Sequence, residues 1–355
     1  MSEQANRHAI DERLADPERI KLKVQEETSA SALTVPETAS FRAPGYRVLG
    51  LIGSGAMGRV YKAVDERTNQ VYALKCIRSE LVSDRTILKR LEQETQAAIN
   101  LNHPNITAIH ERGTAEDGSP FIVMDFVDGL TLADIIRDEG LLDPSRAVFL
   151  LIQIAGALAH AHARGVIHRD VKPSNIMISN EGGVEVVKLV DFGIAKTVTA
   201  AGAEANNTTQ TAQVVGSPAY MSPEQCLGLP IDARSDIYSL GCVMYEMLCG
   251  TSPFVGMNPI QTIARQIKEK PAPLPLAKST VQSERDLACI NEKALEKLPD
   301  KRYRTMNEMH LDLMRVPANR RPKAGSAGMS CKILSLAAGV AVGLAAAFVI
   351  QVIAH

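Results

Sequence analysis

Apolar and polar residues alternate with a period of two near the start of the central region. Residues 46–51, 60–64 and 71–77 each show this alternation, and residues 65–70 supply turn chemistry between the last two. A glycine-rich segment joins the first two. The pattern therefore predicts consecutive strands on both sides of a glycine-rich loop, whereas a dinucleotide-binding loop would lead into a helix.

A helical period follows the third strand. Ser83 and Asp84 are suitable N-terminal caps. The apolar positions fall at i, i+4, i+11 and i+14, and they are Ile87, Leu91, Ala98 and Leu101. Glu94 occupies i+7 on the same face, whereas Glu92 points about 200° away and is expected to be solvated. The spacing thus predicts one inward-facing carboxylate on this helix.

Two further patterns organise the second half. Residues 176–178 and 184–190 flank the turn residues 180–183, which predicts a β-hairpin. A hairpin brings its two ends together, so Asp170 and Asn175 before it are expected to meet Asp191 after it. Residues 237–248 are apolar on nearly every face, which indicates a buried helix ended by Gly250.

Composition narrows the class of protein. The chain has 355 residues, 45% of them apolar, enough for one large domain or two ordinary ones. Its net charge of −1 argues against a nucleic-acid partner. The cysteines show no C-x-x-C pair, which favours a reducing compartment over disulfides or a zinc site, and they are Cys76, Cys226, Cys242, Cys249, Cys289 and Cys331.

The two ends differ from the centre. Residues 1–42 form a polar segment with no aromatic residue before Phe41, and they are predicted to be disordered. No apolar stretch follows Met1, so a signal peptide is not expected. The folded part is expected from about residue 41 to about residue 317.

The sequence pattern at the C-terminal end predicts a membrane anchor. A basic linker at residues 317–332 precedes 21 residues, 333–353, that contain no charge. This matches the roughly 20 residues of a spanning helix, and the basic side is expected to face the cytoplasm. A buried core helix is the alternative. Gly339 and Gly343 form a G-x-x-x-G spacing that would permit a homodimer, although an Ala- and Gly-rich segment also produces it by chance.

The glycine-rich loop points to phosphate chemistry. Residues 53–60 read G-x-G-x-x-G-x-V, in which glycines let backbone N–H groups approach a polyphosphate. Three glycines also occur in plain turns. Lys75 lies on the third strand among apolar neighbours, so its charge needs a partner, and helical geometry selects Glu94 over Glu92.

The oxygen side chains around the second hairpin suggest a metal. Asn175 and Asp191 are suitable ligands for Mg²⁺ shared with phosphates. Asp170 remains to orient an attacking hydroxyl group. Each of these residues alone would be an ordinary turn or capping residue.

Taken together, residues 53–60, Lys75, Glu94, 168–175 and 191–193 resemble the motifs of the eukaryotic-like (Hanks-type) protein kinases, in the same order. The resemblance covers about residues 46–313. It implies an α+β bilobal kinase fold at 43–316, with a small antiparallel sheet lobe plus one helix at about 43–127 and a mainly helical lobe at about 128–316, followed by the single membrane helix.

Two segments refine the resemblance. Lys172 is similar to the Ser/Thr-specific version of the catalytic loop. Residues 216–224 with Gln225 resemble the bacterial membrane-anchored branch. Ser222 and Ser217 depart mildly from the commoner residues, and neither change removes a catalytic group.

The family's roles carry over to matching positions. Lys75 would hold the α and β phosphates and pair with Glu94. Asn175 and Asp191 would hold Mg²⁺ or Mn²⁺. Asp170 and Lys172 would be catalytic, the first as proton acceptor and the second neutralising the transferred phosphoryl. The remaining ATP-binding positions are Ile52, Gly53, Ser54, Gly55, Ala56, Met57, Gly58, Arg59, Val60, Ala73, Asp125, Val127 and Met177, with Met124 as gatekeeper.

The resemblance also implies regulatory and structural roles. A phosphate on the activation loop is expected to pair with Arg169. Thr208, Thr209 and Thr211 are the candidate phosphosites, although the segment also reads as a plain flexible loop. Asp236 would anchor the catalytic loop. The ion pair that fixes the large lobe would join Glu224 and Arg302.

Three functions fit these features. The first is an active, autophosphorylating Ser/Thr protein kinase, a phosphotransferase that uses ATP and acts on proteins at the cytoplasmic face of the inner membrane. The second is a nucleotide-binding pseudokinase scaffold. The third is a small-molecule phosphotransferase, which residues 216–224 disfavour because they resemble a peptide-binding platform. Since no catalytic position is degraded, the sequence favours the first.

Overall fold

The computed structural model describes residues 41–55, 58–78, 85–192 and 217–317. Three predicted features lie outside these residues: the disordered N-terminal segment except for residues 41 and 42, the membrane helix, and the candidate phosphosites. Of residues 41 and 42, Phe41 is buried and stacks on Tyr61 with ring centroids 4.5 Å apart. Phe41 is therefore part of the packed small lobe.

In its described residues the small lobe is an antiparallel sheet with one helix. Its strands are β1 (Tyr46–Gly55), β2 (Gly58–Asp65), β3 (Val71–Ile77), β4 (Ile109–Thr114) and β5 (Pro120–Asp125), and helix α1 (Arg85–Ile99) follows β3. The order across the sheet is β1-β2-β3-β5-β4. The predicted strands and helix are confirmed, with Leu91, Ala98 and Leu101 buried as the helical period required.

The large lobe is mainly helical around one apolar core. Its helices are α2 (Leu132–Glu139), α3 (Pro144–His162), α4 (Pro223–Cys226), α5 (Arg234–Cys249), α6 (Pro259–Lys268), α7 (Gln282–Ala294) and α8 (Met306–Arg315). A second sheet of β6 (Leu130–Thr131), β7 (Ile176–Glu181) and β8 (Val184–Leu189) lies in the order β6-β7-β8. The bilobal kinase architecture is thus confirmed.

Local sequence explains where key elements begin and end. Asp143 caps α3 by accepting hydrogen bonds from the Ser145 and Arg146 amides. The predicted hairpin is β7–β8, and its turn residues Gly182 and Gly183 have φ of 63° and 89°, which suit a two-residue turn. The predicted buried helix is α5, which ends at Gly250 in the left-handed conformation.

Among the described residues, α3 is the one helix long and apolar enough to cross a membrane. Leu150, Leu151, Ile154 and Leu158 on this helix are fully buried in the large-lobe core. Its apolar character is therefore explained by packing within the lobe.

Candidate active site

The glycine-rich loop is the tip of a hairpin between β1 and β2. The strands pair as far as Gly55 opposite Gly58, and Ala56 and Met57 at the tip lie outside the described residues. Gly58 has φ of 156°, and a Cβ atom there would overlap the carbonyl oxygen of Cys76 on β3. Glycine at this position therefore lets the tip of β2 lie close to β3.

The residues expected to enclose adenine come from both lobes. Ala73 on β3 lies opposite Met124 on β5, and both side chains are buried. Ile52 on β1 is 50% exposed. Met177 is on β7 of the large lobe, where it pairs with Thr131. The backbone at 125–127 leaves β5 between the two lobes, where a hinge was expected.

The predicted ion pair between Lys75 and Glu94 is wrong for this conformation. Lys75 Nζ lies 2.7 Å from Asp191 Oδ1. Glu94 Oε1 instead accepts a hydrogen bond from Arg169 Nη1 at 2.9 Å. The correction has a physical cause, because helical periodicity places Glu94 on the inward face but does not set the distance from α1 to β3.

The choice between the two glutamates was nevertheless correct in orientation. Glu94 has 27% of its side chain exposed and faces the interior. Glu92 is half exposed, with Arg112 3.8 Å away. The helical face therefore followed from the sequence, and the partner across it did not.

The Asp170 carboxylate is held by two neighbours from its own loop. Asn175 Nδ2 donates to Asp170 Oδ2 at 3.0 Å, and Lys172 Nζ lies 2.9 Å from the same oxygen. The Val190 amide donates to the Asn175 carbonyl at 3.1 Å, which brings the segment before β7 beside the residue preceding Asp191. The predicted convergence of the two hairpin ends is confirmed.

Asp236 anchors the catalytic loop from the start of α5, as the resemblance implied. Its carboxylate accepts hydrogen bonds from the His168 and Arg169 amides, each at 2.8 Å, and lies 2.7 Å from His162 Nε2. Burial would raise the pKa of Asp236, but these partners hold it below the ordinary value. Burial keeps the pKa of the fully enclosed His168 low. The loop thus rests on a buried carboxylate.

Two residues of the site have left-handed backbone without being glycine. Arg169 has φ of 64° and Asp191 has φ of 60°. Such conformations are costly for these residue types and persist where surrounding contacts hold them. They mark the loop before Asp170 and the end of the β7–β8 hairpin as conformationally constrained.

The segment after residue 216 forms a platform below the catalytic loop. Ser222 and Gln225 make a reciprocal capping box at the start of α4. Gln225 Nε2 also donates to the Arg169 carbonyl at 2.9 Å. Sequence reasoning assigned no role to this glutamine, although the S-x-x-Q spacing was a visible helix-start signal. The link couples the platform to the catalytic loop.

The platform is fixed from beneath by the expected pair of Glu224 and Arg302. Two parallel hydrogen bonds of 2.8 Å join them, and the Arg302 side chain is fully buried. Burial would raise the pKa of Glu224, but Arg302 holds it below the ordinary value. Tyr220 on the platform donates to Glu246 on α5 at 2.6 Å, a contact that the sequence did not suggest.

The available donors fit a divalent metal shared with phosphates. Asn175 supplies an amide oxygen, and Asp191 has a second oxygen beyond the one facing Lys75. A cavity beside this ion pair is lined by Lys75, Ile77, Thr107, Ile109, Ile122, Met124, Leu189, Asp191 and Phe192. Lys75 of the small lobe and Asp191 at the end of the β7–β8 hairpin therefore face the same cavity.

Comparison with known proteins agrees with this geometry. The protein kinase domain model matches residues 46–315. Serine/threonine-protein kinase PknB of Mycolicibacterium smegmatis is 42% identical over 295 residues, or 82% of this chain and 45% of that protein. PknB of Mycobacterium tuberculosis strain H37Rv is 43% identical over the same shares. The chain spans less than half the length of these relatives.

Solved structures show the same fold. The crystal structure of the Mycobacterium tuberculosis PknI kinase domain matches with a TM-score of 0.59 and 26% sequence identity. The match covers 80% of this chain and all of that one. The aligned part corresponds in extent to the two lobes described above.

Proposed function

Because the chain belongs to the protein kinase family, we propose that it transfers the γ-phosphoryl group of ATP to serine and threonine hydroxyls of proteins. The observation that carries the proposal is the Asp170 carboxylate, held by Lys172 and Asn175 at the mouth of the β7–β8 hairpin. The relatives of this chain that are named serine/threonine-protein kinase support serine and threonine hydroxyls as the acceptors.

The residues divide the work of the reaction. Asp170 orients the attacking hydroxyl and accepts its proton. Lys172, 2.9 Å from Asp170, carries a positive charge to the position where the transferred phosphoryl group develops negative charge. ATP would supply the phosphoryl group, and Asn175 and Asp191 would hold the Mg²⁺ or Mn²⁺ that neutralises charge on its phosphates. Most of the catalytic effect then comes from positioning and electrostatics.

Nucleotide binding requires an exchange of ion pairs. Asp191 now faces Lys75 at 2.7 Å, and Glu94 faces Arg169 at 2.9 Å. Asp191 contacts Lys75 through one oxygen and keeps the second for a metal ion, whereas Lys75 would turn from Asp191 to Glu94 and the phosphates when it holds the nucleotide. This exchange brings the structure to the pairing that the family resemblance implies.

Adenine would lie between the lobes. Ile52, Val60 and Ala73 would cover it from the small lobe, and Met177 would support it from the large lobe. The backbone at Asp125 and Val127 would donate and accept hydrogen bonds to the base. The glycine-rich hairpin, residues 53–60, would close over the phosphates.

We also propose autophosphorylation and membrane tethering. Thr208, Thr209 and Thr211 would be the acceptor sites, since they fall between Asp191 and the platform in the sequence. The uncharged run at residues 333–353 holds the kinase domain at the cytoplasmic face of the inner membrane, and its G-x-x-x-G spacing would permit a homodimer.

Phosphate transfer from labelled ATP tests the activity. The full-length chain is incubated with Mg²⁺ or Mn²⁺ and a generic basic protein, beside the Asp170→Asn variant. Transfer that is lost in the variant, with nucleotide binding and thermal stability kept, supports the proposal. Nucleotide binding without any transfer would make the chain a pseudokinase scaffold. Preference for a sugar or an aminoglycoside over protein would refute the substrate class.

Two further measurements test the finer claims. Mass spectrometry of the autophosphorylated chain should find phosphate on Thr208, Thr209 or Thr211, and phosphate confined to other residues would contradict the assignment. Cell fractionation compares the full chain with a version stopped before Ile333. Unchanged membrane recovery of the shortened chain would remove the anchor.

A further inference from the structure

Three histidines from separate elements lie close together beside helix α3. His103 lies in the loop between α1 and β4, His160 on the last turn of α3, and His310 on α8. The rings of His103 and His160 have centroids 5.0 Å apart. A Cβ atom at Gly156 would lie 3.4 Å from His310 Nε2, so this ring rests against α3 one turn before His160.

Two hydrogen bonds use these rings as acceptors. The Asn105 amide donates to His103 Nδ1 at 3.1 Å. Arg164 Nη1 lies 3.2 Å from His160 Nδ1 and donates to it, because a guanidinium has no acceptor. Both contacts need a ring nitrogen that carries no proton. Protonation of either ring would place two donors against each other.

The charged groups that shift the pKa values of these rings are cations. Burial lowers the pKa of His103, and His160, His310, Arg164 and Lys188 of β8 lower it further. Burial and Arg164 lower the pKa of His160, and burial alone lowers that of His310. All three rings therefore favour the uncharged form in the folded chain.

The cluster lies beside hydrogen bonds that join the α1–β4 loop to the large lobe. Asn105, two residues after His103, donates from its side chain to Gln153 of α3 and to the Val187 carbonyl, both at 2.9 Å. Its own carbonyl accepts from the Leu189 amide, two residues before Asp191. The same loop continues from α1, which carries Glu94. Movement of this loop would thus reach both sides of the cleft.

We propose that His103, His160 and His310 form an acid-sensitive fastening between the lobes, in which uncharged rings hold the α1–β4 loop and their protonation loosens it. Below the ordinary histidine pKa of about 6.5, the unfolded chain binds protons that the folded chain excludes. Stability is thus fully present above that pH and falls as the pH decreases through it. Catalysis falls with it because α1 and the end of β8 lose their common support.

The test compares the full-length chain with the His160→Gln/His310→Gln double variant. Glutamine does not titrate, and its amide oxygen accepts the hydrogen bond from Arg164. The free energy of unfolding is measured by denaturant titration at several pH values between 5 and 8. The wild-type chain should take up about two more protons on unfolding than the variant. Its unfolding constant should therefore rise up to about a hundredfold more than that of the variant for each unit by which the pH falls.

His110→Gln is the control, at a histidine that pairs with Asp125 instead of with a cation. His110 lies on β4 outside the cluster and is 41% exposed in its side chain. In His110→Gln the free energy of unfolding should keep a pH dependence as steep as in the wild type, and steeper than in the double variant. Equal pH slopes in the wild type and the double variant would overturn the proposal, and so would a loss of slope in His110→Gln as large as that in the double variant.

A fallback keeps the test decisive if the double variant does not fold. His310→Gln alone removes a ring whose lowered pKa has burial as its one cause, and it should reduce proton uptake by about one. Amide hydrogen exchange at Leu189 and Asn105, compared at equal pH, should show greater protection in the variant under acid conditions. Neither measurement depends on the proposed kinase activity. Equal protection and equal uptake would refute the fastening.

Discussion

Removing Arg302 should be one of the most damaging single changes in the large lobe. Its guanidinium donates to both oxygens of Glu224 and to the carbonyls of Arg234, Glu296 and Lys297. In Arg302→Met the Glu224 carboxylate stays buried and keeps the hydrogen bond from the Ser235 hydroxyl at 2.6 Å. Breaking a buried pair on one side costs about 3–5 kcal/mol.

Denaturant titration of the full-length chain measures this loss, and thermal unfolding should show a midpoint lower by about 6–10 °C. Arg112→Met is the control, because Arg112 and Glu92 are half exposed and 3.8 Å apart. Exposed pairs contribute about 1 kcal/mol or less. The contrast between the two variants isolates the effect of burial.

The pH dependence of the stability lost in Arg302→Met provides a second test, because its direction is also predicted. In the wild type Glu224 has a lowered pKa, so the stability from its pair is present above the ordinary carboxyl range and is lost as pH falls. In Arg302→Met the guanidinium is gone and burial raises the pKa of Glu224 against the hydrogen bond from Ser235, so acid relieves the variant by neutralising Glu224. The cost of the substitution should therefore shrink from pH 8 to pH 5. A cost below about 1 kcal/mol at pH 8, or one that grows with acid, would refute the reasoning.

Three further predictions concern the cleft and its supports. Lys75→Met removes the cation that faces Asp191, so phosphate transfer should fall at least about a hundredfold while the thermal midpoint stays nearly constant; an unchanged rate would contradict its role. Gly58→Ala should destabilise the chain more than Gly118→Ala in denaturant titration, because a Cβ at Gly58 would overlap a backbone oxygen and one at Gly118 would meet no atom within 4 Å; equal losses would count against this. Burial lowers the pKa of Lys297 to about 8, so the wild type should gain stability relative to Lys297→Met as pH rises from about 8 to about 10, and a flat difference would be inconsistent with a buried amine.

The sequence by itself determined those features that depend on neighbours within a few residues. A period of two identified β1, β2 and β3, and the helical period identified the buried face of α1. The β7–β8 hairpin followed from its turn residues, and it correctly brought Asp170 and Asn175 toward Asp191. Short-range spacing suffices in these cases because backbone geometry alone relates such residues.

The tertiary structure decided which side chains meet across elements. Periodicity placed Glu94 on the correct face of α1, yet its partner is Arg169 and that of Lys75 is Asp191. Gln225 reaching the Arg169 carbonyl, and His310 resting against Gly156, left no sequence signal of their contacts. The physical reason is that a face is set by the turn of one helix or strand, whereas a contact depends on the separation of two elements, which only the packing of the whole core determines.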